Sequence, residues 1–522
     1  MPFLGTLLKN GIRIRESLEQ DFSDAFELQR SQLRKLLING SFTQFGKKYQ
    51  FTKILKNFRA KDQRQFYDVY KSTVPLHNYQ KIASEWWYRS RTGEADVCWP
   101  GKVRFFALSS GTSDASSKYI PVTREMKKSM QKTSIRQILT LSKYDLAPET
   151  FEGGILMLGG STDLHKHGSY FEGDLSGIQA ANLPFWFQRF YKPGKAISRE
   201  RNWDEKLNEI CRRAHQWNIS IIVGVPAWVQ LLMEKIIAYY NISNIHELWP
   251  HLEVYVHGGV SFDPYRKSFG KLLGRKIFYI ETYLASEGFI AFQTKPDHKA
   301  MRLVLNNGIF HEFIPFNEQN FDENGEVREG AEAVMIDQVV PGQDYALVIS
   351  TNAGTWRYLI GDVIRFQSVE ESEIVITGRT KHFLSMCGEH LSVDNMNKAI
   401  EMVSDELDVE IREFTVAGIP YDTLFAHHWF VGVETPMDSS VVRDRLDHFL
   451  CKLNDDYCTE RSAALKEVIV DVLPLEYFYS FMEKIGKTGG QHKFPRVIKS
   501  EMYQEWKAFI ESRQISPGVH SR

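Results

Sequence analysis

Between residues 100 and 285 the chain alternates short apolar runs with amphipathic stretches, and each apolar run stops at small residues. Ile155–Leu158 ends at Gly159-Gly160, and Ile219–Val223 runs into Gly224-Val225-Pro226. Leu252–Val256 leads to His257-Gly258-Gly259, and Lys276–Tyr283 leads to Ala285-Ser286-Glu287. Helical patterns lie between them, over Trp203–Trp217, from Pro226 to about Tyr240, and over Phe262–Leu273. Parallel strands need a crossover of a dozen or more residues, usually a helix. The order therefore predicts a parallel sheet layered with helices. In such sheets ligands bind at the carboxyl ends of the strands, which is where these small-residue turns fall.

The chain has 522 residues, more than one hydrophobic core normally serves. Residues 12–60 read as helices, with Leu33, Leu36 and Leu37 on one face. Residues 288–377 read as short, mostly antiparallel strands, among them Ala333–Ile336 and Val363–Phe366. From about Thr380 the pattern returns to mixed helix and strand. The expected fold class is α/β: a large N-terminal domain of α/β layers, residues 1–379, with an added antiparallel β subdomain, and a smaller C-terminal α/β domain, residues 380–522.

A net charge of −1 gives no general attraction to nucleic acid or membrane. Five scattered cysteines, odd in number and without a CxxC, argue against a disulfide framework or structural zinc and for a reducing cytoplasm. No apolar run reaches the ~18–20 residues needed to span a bilayer. The apolar, basic start MPFLGTLLKNGIRIR is interrupted by Lys9, Asn10 and Arg13 and has no evident cleavage site, so it reads as an amphipathic helix docked on the protein, with a membrane-surface helix as the alternative.

Five stretches have the chemistry of a site. Val103–Pro121 runs from a strand into Ser109-Ser110-Gly111-Thr112-Ser113, with Lys118 after it. Small residues allow close backbone approach, and their N–H and hydroxyl groups can ring a phosphate. The spacing is not that of a Walker A loop, and the loop alone reads equally as a surface turn. In the second stretch, Tyr279–Glu287, an aromatic at a strand end can stack a purine and a carboxylate can hold Mg²⁺. A capped turn with a solvated Glu is the plainer alternative. In Trp356–Asp362, an acid after Gly at a strand start can accept ribose hydroxyls or simply make a β-turn. Thr377–Leu391 brings Arg379 and Lys381 to the change of domain, as a site or as a charged linker. Gly489–Arg496 carries Lys493 on a glycine-bearing loop, where solvated lysines are common. HExxH, GxSxG and GxGxxG are absent, and the sixteen histidines show no metal-ligand spacing. His257 and His311 read as structural. His427 and His428 fall in a strand pattern, where neighbours point to opposite faces.

Taken in order, SSGTSDASSK, HGGV, ETYLASE, YLIGDV, GRTKHF and GGQHKFPR resemble the Gretchen-Hagen-three family, the auxin-responsive acyl acid amido synthetases. That family lies within the acyl-adenylate-forming enzymes, with acyl-CoA ligases, luciferases and peptide-synthetase adenylation domains. VPLHNYQKI, VGVPAW and YVHGGVSFDPYR extend the resemblance over nearly the whole chain, which looks closer to bacterial members than to the plant hormone enzymes. Ala115 stands where many members carry Gly, and Leu284-Ala285 where plant members tend to be smaller.

The resemblance implies an ATP- and Mg²⁺-dependent ligase that activates a carboxylic acid as acyl-AMP and passes it to an amine, an amino acid, forming an amide. Ser109, Ser110, Gly111, Thr112, Ser113 and Lys118 would wrap the phosphates. Tyr283 would contact adenine, with Gly258 and Gly259 as the adenine wall. Ser286 would lie by the α-phosphate, Glu287 would hold Mg²⁺, and Asp362 would bind the ribose hydroxyls. Arg379 would contact ribose, with Lys381 beside it at the hinge. Lys493 would enter the site for adenylation as the small C-terminal domain moves. The acid pocket would include the Arg124–Ser142 helix and the Val223–Trp228 turn, with Trp228 a possible lining residue or a core residue. A thiol acceptor such as coenzyme A, or a non-catalytic nucleotide- or acyl-binding relic, are the alternatives. Nothing suggests nucleic-acid binding or integration into a membrane.

Overall fold

The computed structural model describes residues 3–18, 24–59, 64–109, 118–260, 262–263, 265–322, 325–380, 383–389, 391–485 and 494–514. The described residues fall into two compact units, one over 3–109 and 118–380, the other over 383–514.

In the larger unit, helices Phe3–Leu18, Ala25–Gly40, Gln44–Lys48, Phe51–Lys56 and Gln65–Thr73 come first. Leu33, Leu36 and Leu37 are buried, as their three- and four-residue spacing on one helix face requires. The Ala25–Gly40 helix ends against Trp356, where a Cβ on Gly40 would lie 2.8 Å from Trp356 Cζ2. The N-terminal helix is docked as expected, with Lys9 Nζ donating to the Leu146 carbonyl at 2.7 Å.

The centre of this unit is a sheet that counts eleven strands among the described residues. One half is parallel, in the spatial order Tyr191–Lys192, Gly154–Met157, Ile219–Val223, Val254–Gly258, Phe278–Ala285. Helices Trp203–Arg213 and Pro226–Tyr240 are among its crossovers. Strand Ile219–Val223 is buried along nearly its whole length, which is why its sequence is a continuous apolar run rather than an alternating one. At Ser286-Glu287 a hairpin reverses the direction. Strands Gly288–Phe292, Met301–Leu303, Glu373–Arg379, Thr355–Ser368, Asp344–Thr351 and Ile309–Pro315 then follow in space, each antiparallel to the last. The antiparallel region is thus an extension of the parallel sheet through that hairpin, not a separate sheet. Ala333–Ile336, expected as a strand, contributes only a bridge from Val334 to Phe313 and the start of a 3₁₀ turn. Val363–Phe366 is part of the 14-residue strand Thr355–Ser368. A second sheet joins Lys118–Val122, Phe105–Ser109, Tyr170–Gly173 and His165–His167.

In the smaller unit, strands Ile411–Tyr421, Leu424–Val433 and Leu465–Pro474 form a three-stranded sheet. Helices Val393–Leu407, Ser439–Leu453, Asp455–Ser462, Leu475–Lys484 and Ser500–Gln514 accompany it. Trp506 is fully buried, with Phe478, Phe481, Phe494 and Phe509 around it. His427 and His428 do point apart. His427 donates to Glu389 at 2.8 Å, while His428 meets Tyr503 and Asp471, each at 2.9 Å.

Candidate active site

The site lies in the larger unit and is built from three turns of chain. Strand Phe105–Ser109 runs antiparallel to Lys118–Val122, so Ser109 stands opposite Lys118. Between them Ser110, Gly111, Thr112, Ser113 and Ala115 lie outside the described residues, as do Lys381 and Lys493. Lys118 Nζ is 5.6 Å from the centre of the Tyr79 ring, and the Tyr79 hydroxyl accepts the Tyr119 N–H at 2.8 Å.

The second turn is the hairpin at Ser286-Glu287. A two-residue connection leaves no slack, so Glu287 is fixed relative to Tyr283 on the strand before it. Glu287 is 7% exposed and Tyr283 6%. Burial first, and then the Glu287 carboxylate, hold the Tyr358 phenol well above its usual range.

The third turn is a bulge. Asp362 was expected at a strand start, but it sits within Thr355–Ser368. Between Leu359 and Val363 this strand advances four residues while its partner advances two, from Val348 to Ala346. Gly361 takes φ +94° there, a conformation that L side chains rarely adopt. Such bulges re-aim the side chains beside them. Asp362 is consequently turned so that Oδ1 accepts Arg379 Nε at 2.8 Å and Oδ2 accepts the Tyr283 hydroxyl. Arg379 is its cross-strand neighbour.

Tyr283, Glu287, Asp362, Arg379 and Lys118 form one electrostatic group. Burial raises the Glu287 pKa above the usual carboxylate range; Lys118 opposes this and Asp362 adds to it. The Tyr283 phenol is held well above its usual range by burial and then by Asp362. Burial works against the Arg379 charge, but Asp362, Tyr283 and Glu287 together outweigh it and raise the pKa. The cluster can present a carboxylate to a cation and an ammonium to an oxyanion. The remaining lone pairs of Asp362 can accept hydroxyl donors.

Gly258 stands opposite Thr282 on the neighbouring parallel strand, one residue from Tyr283. A Cβ there would come within 2.4 Å of the Thr282 carbonyl oxygen, and Gly259 has φ +86°. The His257-Gly258-Gly259 turn therefore lies flat along the strand edge. Ser286 is half-buried at the hairpin turn. Trp228 packs on Trp203, ring centres 4.7 Å apart. Tyr358 and Tyr79 were missed from sequence. Tyr358 lies in the quoted Trp356–Asp362 stretch, but the bulge removes the alternation that would have shown its direction.

Among the described residues no group of three or more His, Cys, Asp or Glu side chains could hold a metal ion. Mg²⁺ usually takes one or two carboxylates and completes its shell with phosphate oxygens and water. The buried oxygen donor Glu287 fits that need.

No helix among the described residues is long and apolar enough to cross a membrane. Family models for the GH3 N-terminal domain match residues 14–163 and 161–277. The GH3 central domain matches 302–379, and the GH3 C-terminal domain matches 394–502. The chain is 25% identical over 466 residues to a rice (Oryza sativa subsp. japonica) protein named jasmonoyl–L-amino acid synthetase GH3.5, covering 75% of this chain and 77% of that one. It is 26% identical over 222 residues to the Arabidopsis thaliana indole-3-acetic acid-amido synthetase GH3.4, covering 40% and 36%. Among solved structures, the GH3.15 acyl acid amido synthetase superposes with TM-score 0.57 at 17% identity, over 97% of this chain and 96% of that one. A 2-hydroxyisobutyryl-CoA ligase with bound 2-HIB-AMP and CoA gives 0.58 at 11% identity, over 93% and 92%. These structural likenesses concern the fold. Domain models matched in order along most of the sequence place the family directly: the chain belongs to the GH3 family.

Proposed function

We propose that this chain is an acid–amino acid ligase that spends ATP to activate a carboxylic acid as an acyl-adenylate and transfers the acyl group to an amine. Amide-forming ligase activity follows from the family. The observation that supports this site for it is the convergence of Tyr283, Glu287, Asp362, Arg379 and Lys118.

Asp362 accepts the ribose hydroxyls with lone pairs that Arg379 and Tyr283 leave open, while those two donors keep it aimed. Tyr283, its hydroxyl tied to Asp362, offers its ring to adenine, and the Gly258-Gly259 edge lets the base lie close. Ser109 and Lys118 flank the residues that cradle the phosphates, with Ser286 at the α-phosphate. Glu287 would hold Mg²⁺, which when bound supplies positive charge between the phosphate oxygens. Lys118 opposes the repulsion between the attacking carboxylate and the α-phosphate and stabilises charge spread over its oxygens. Pyrophosphate leaves, and the amine then attacks the acyl carbonyl and releases AMP. No covalent enzyme nucleophile is required. We further assign Lys493 and Lys381 to this reaction, with the C-terminal part, residues 380–522, moving between the two half-reactions. A cytoplasmic setting is consistent with five free cysteines.

Product analysis tests this reading. Purified protein with ATP, Mg²⁺ and a panel of acids and amino acids should give an amide, AMP and pyrophosphate. A thioester formed only with coenzyme A would replace it with the thiol reading, and ATP binding without turnover with a binding relic.

A further inference from the structure

Three of the five cysteines, Cys98, Cys211 and Cys387, are buried; Cys451 is partly buried and Cys458 exposed. The last two sit on consecutive helices of the smaller unit, Ser439–Leu453 and Asp455–Ser462, joined at Asn454. Asp447 fixes how these helices meet. It accepts Arg461 Nε at 2.8 Å and Nη2 at 2.8 Å, and the Tyr457 hydroxyl at 2.7 Å. Cys451 lies one helical turn beyond Asp447, on the same face. Cys458 lies between the two residues that bind Asp447. The Asp447 bonds therefore draw the Cys458 helix toward the Cys451 face across the hairpin, and Cys458 is the side chain that acts most on the Cys451 thiol.

We propose that Cys451 and Cys458 are a peroxide-sensitive thiol pair that closes to a reversible disulfide between these two helices. The exposed Cys458 sulfur gives up its proton and attacks a peroxide oxygen; the O–O bond breaks, the leaving hydroxide takes up that proton, and the products are a Cys458 sulfenic acid and water. The Cys451 sulfur then attacks the Cys458 sulfur. The S–S bond forms as the sulfenic hydroxyl leaves, taking up the Cys451 proton as a second water. Two thiols and one hydrogen peroxide thus become one disulfide and two waters, and a dithiol reductant reverses the change.

Burial first, and the neighbouring Cys458 second, hold the Cys451 thiol above its ordinary range, whereas the Arg461 guanidinium favours its thiolate. Cys451, partly buried, is less open to oxidant from solvent than the exposed Cys458. The pair also bears on the helix Asp455–Ser462 as a whole. Its Glu460 is buried, and Oε1 would lie 3.4 Å from a Cβ on Gly388. A disulfide would pin a helix that packs on the turn Met386–Glu389.

The test treats the full-length protein with hydrogen peroxide, blocks remaining thiols and maps tryptic peptides without reduction. Cleavage after Lys452 separates the two cysteines, so only a disulfide keeps their peptides joined. Joined peptides that part on adding dithiothreitol support the proposal. Peptides that stay separate, with Cys458 as sulfinic acid and Cys451 still alkylated, overturn it. A second reading uses dimedone during oxidation. Cys451→Ser should trap at least tenfold more adduct at Cys458 than the native protein, and equal trapping in both contradicts the pairing.

Discussion

The Tyr283 hydroxyl donates a hydrogen bond to Asp362, although three strands separate Phe278–Ala285 from Thr355–Ser368 in the sheet. Four inter-strand steps would hold these strands about 19 Å apart in a flat sheet. The bond exists because the sheet curls. Strand Met301–Leu303 has three residues and pairs with Glu373–Arg379 only through Met301 and Arg302. The Asp362 and Arg379 ends extend past it, and it is there that Asp362 meets the Tyr283 hydroxyl.

The hydrogen bond from Tyr283 should matter to nucleotide binding. A bond to a charged group contributes about 1.5–3 kcal/mol, so Tyr283→Phe should raise the KM for ATP by roughly ten- to a hundredfold. Asp362→Asn should cost more, because Arg379 also loses its partner. Steady-state ATP titrations with circular dichroism as a folding control would check this.

Glu287, proposed to hold Mg²⁺, should show its raised pKa in the metal dependence of the reaction. A carboxyl group whose pKa is raised is protonated at a higher pH than an exposed Glu, and protons then compete with Mg²⁺. The Mg²⁺ concentration for half-maximal rate should increase as pH is lowered from 8 to 6. Glu287→Ala should lower adenylation by about a hundredfold or more, as loss of a transition-state charge contact does. Lys493→Ala should do the same while leaving the protein folded.

Glu281 should weaken the fold on the neutral side. Burial first, then Asp263, push its carboxyl from 4.5 up to about 7, against Lys299 and Arg266. Between those values the folded state holds a proton that the unfolded state has lost, so stability falls as pH rises. The contribution is on the order of 3 kcal/mol at most. Urea denaturation from pH 5 to 8 should show this slope in the native protein and a flatter one in Glu281→Gln.

Glu389 should act in the opposite sense in the smaller unit. Its carboxylate receives His427 Nε2 and the N–H groups of Met386, Cys387 and Gly388. Burial would raise its pKa, but these donors win and lower it to about 2. The stabilisation is present above the ordinary value of 4.5 and is lost as pH falls toward 2. Glu389→Gln strands His427 in a buried site and should cost ~3–5 kcal/mol at neutral pH. Chemical denaturation followed by Trp fluorescence would measure it.

The turns of the site were legible in the sequence because their residues announce themselves locally. Ser109, Tyr283, Glu287, Asp362 and Arg379 each stood in a short stretch of glycine, hydroxyl or charge. What was not legible depends on partners distant in the chain. The bulge that aims Asp362 is a register mismatch with Asp344–Thr351, and the continuity of the sheet rests on one hairpin. Apolar periodicity reports that a strand exists, not which strand lies beside it. Tyr358 escaped for the same reason. Cys451 and Cys458 looked unrelated because their proximity follows from the Asp447 bonds across two helices.

The central claim is that the cluster around Asp362 binds ATP for attack by a carboxylate. Exchange of labelled pyrophosphate into ATP, run with a broad panel of acids and no amine, tests it most directly. The account expects exchange that requires an added acid and falls by about a hundredfold or more in Asp362→Asn. Absence of exchange with every acid, or equal exchange in the native protein and Asp362→Asn, would contradict it.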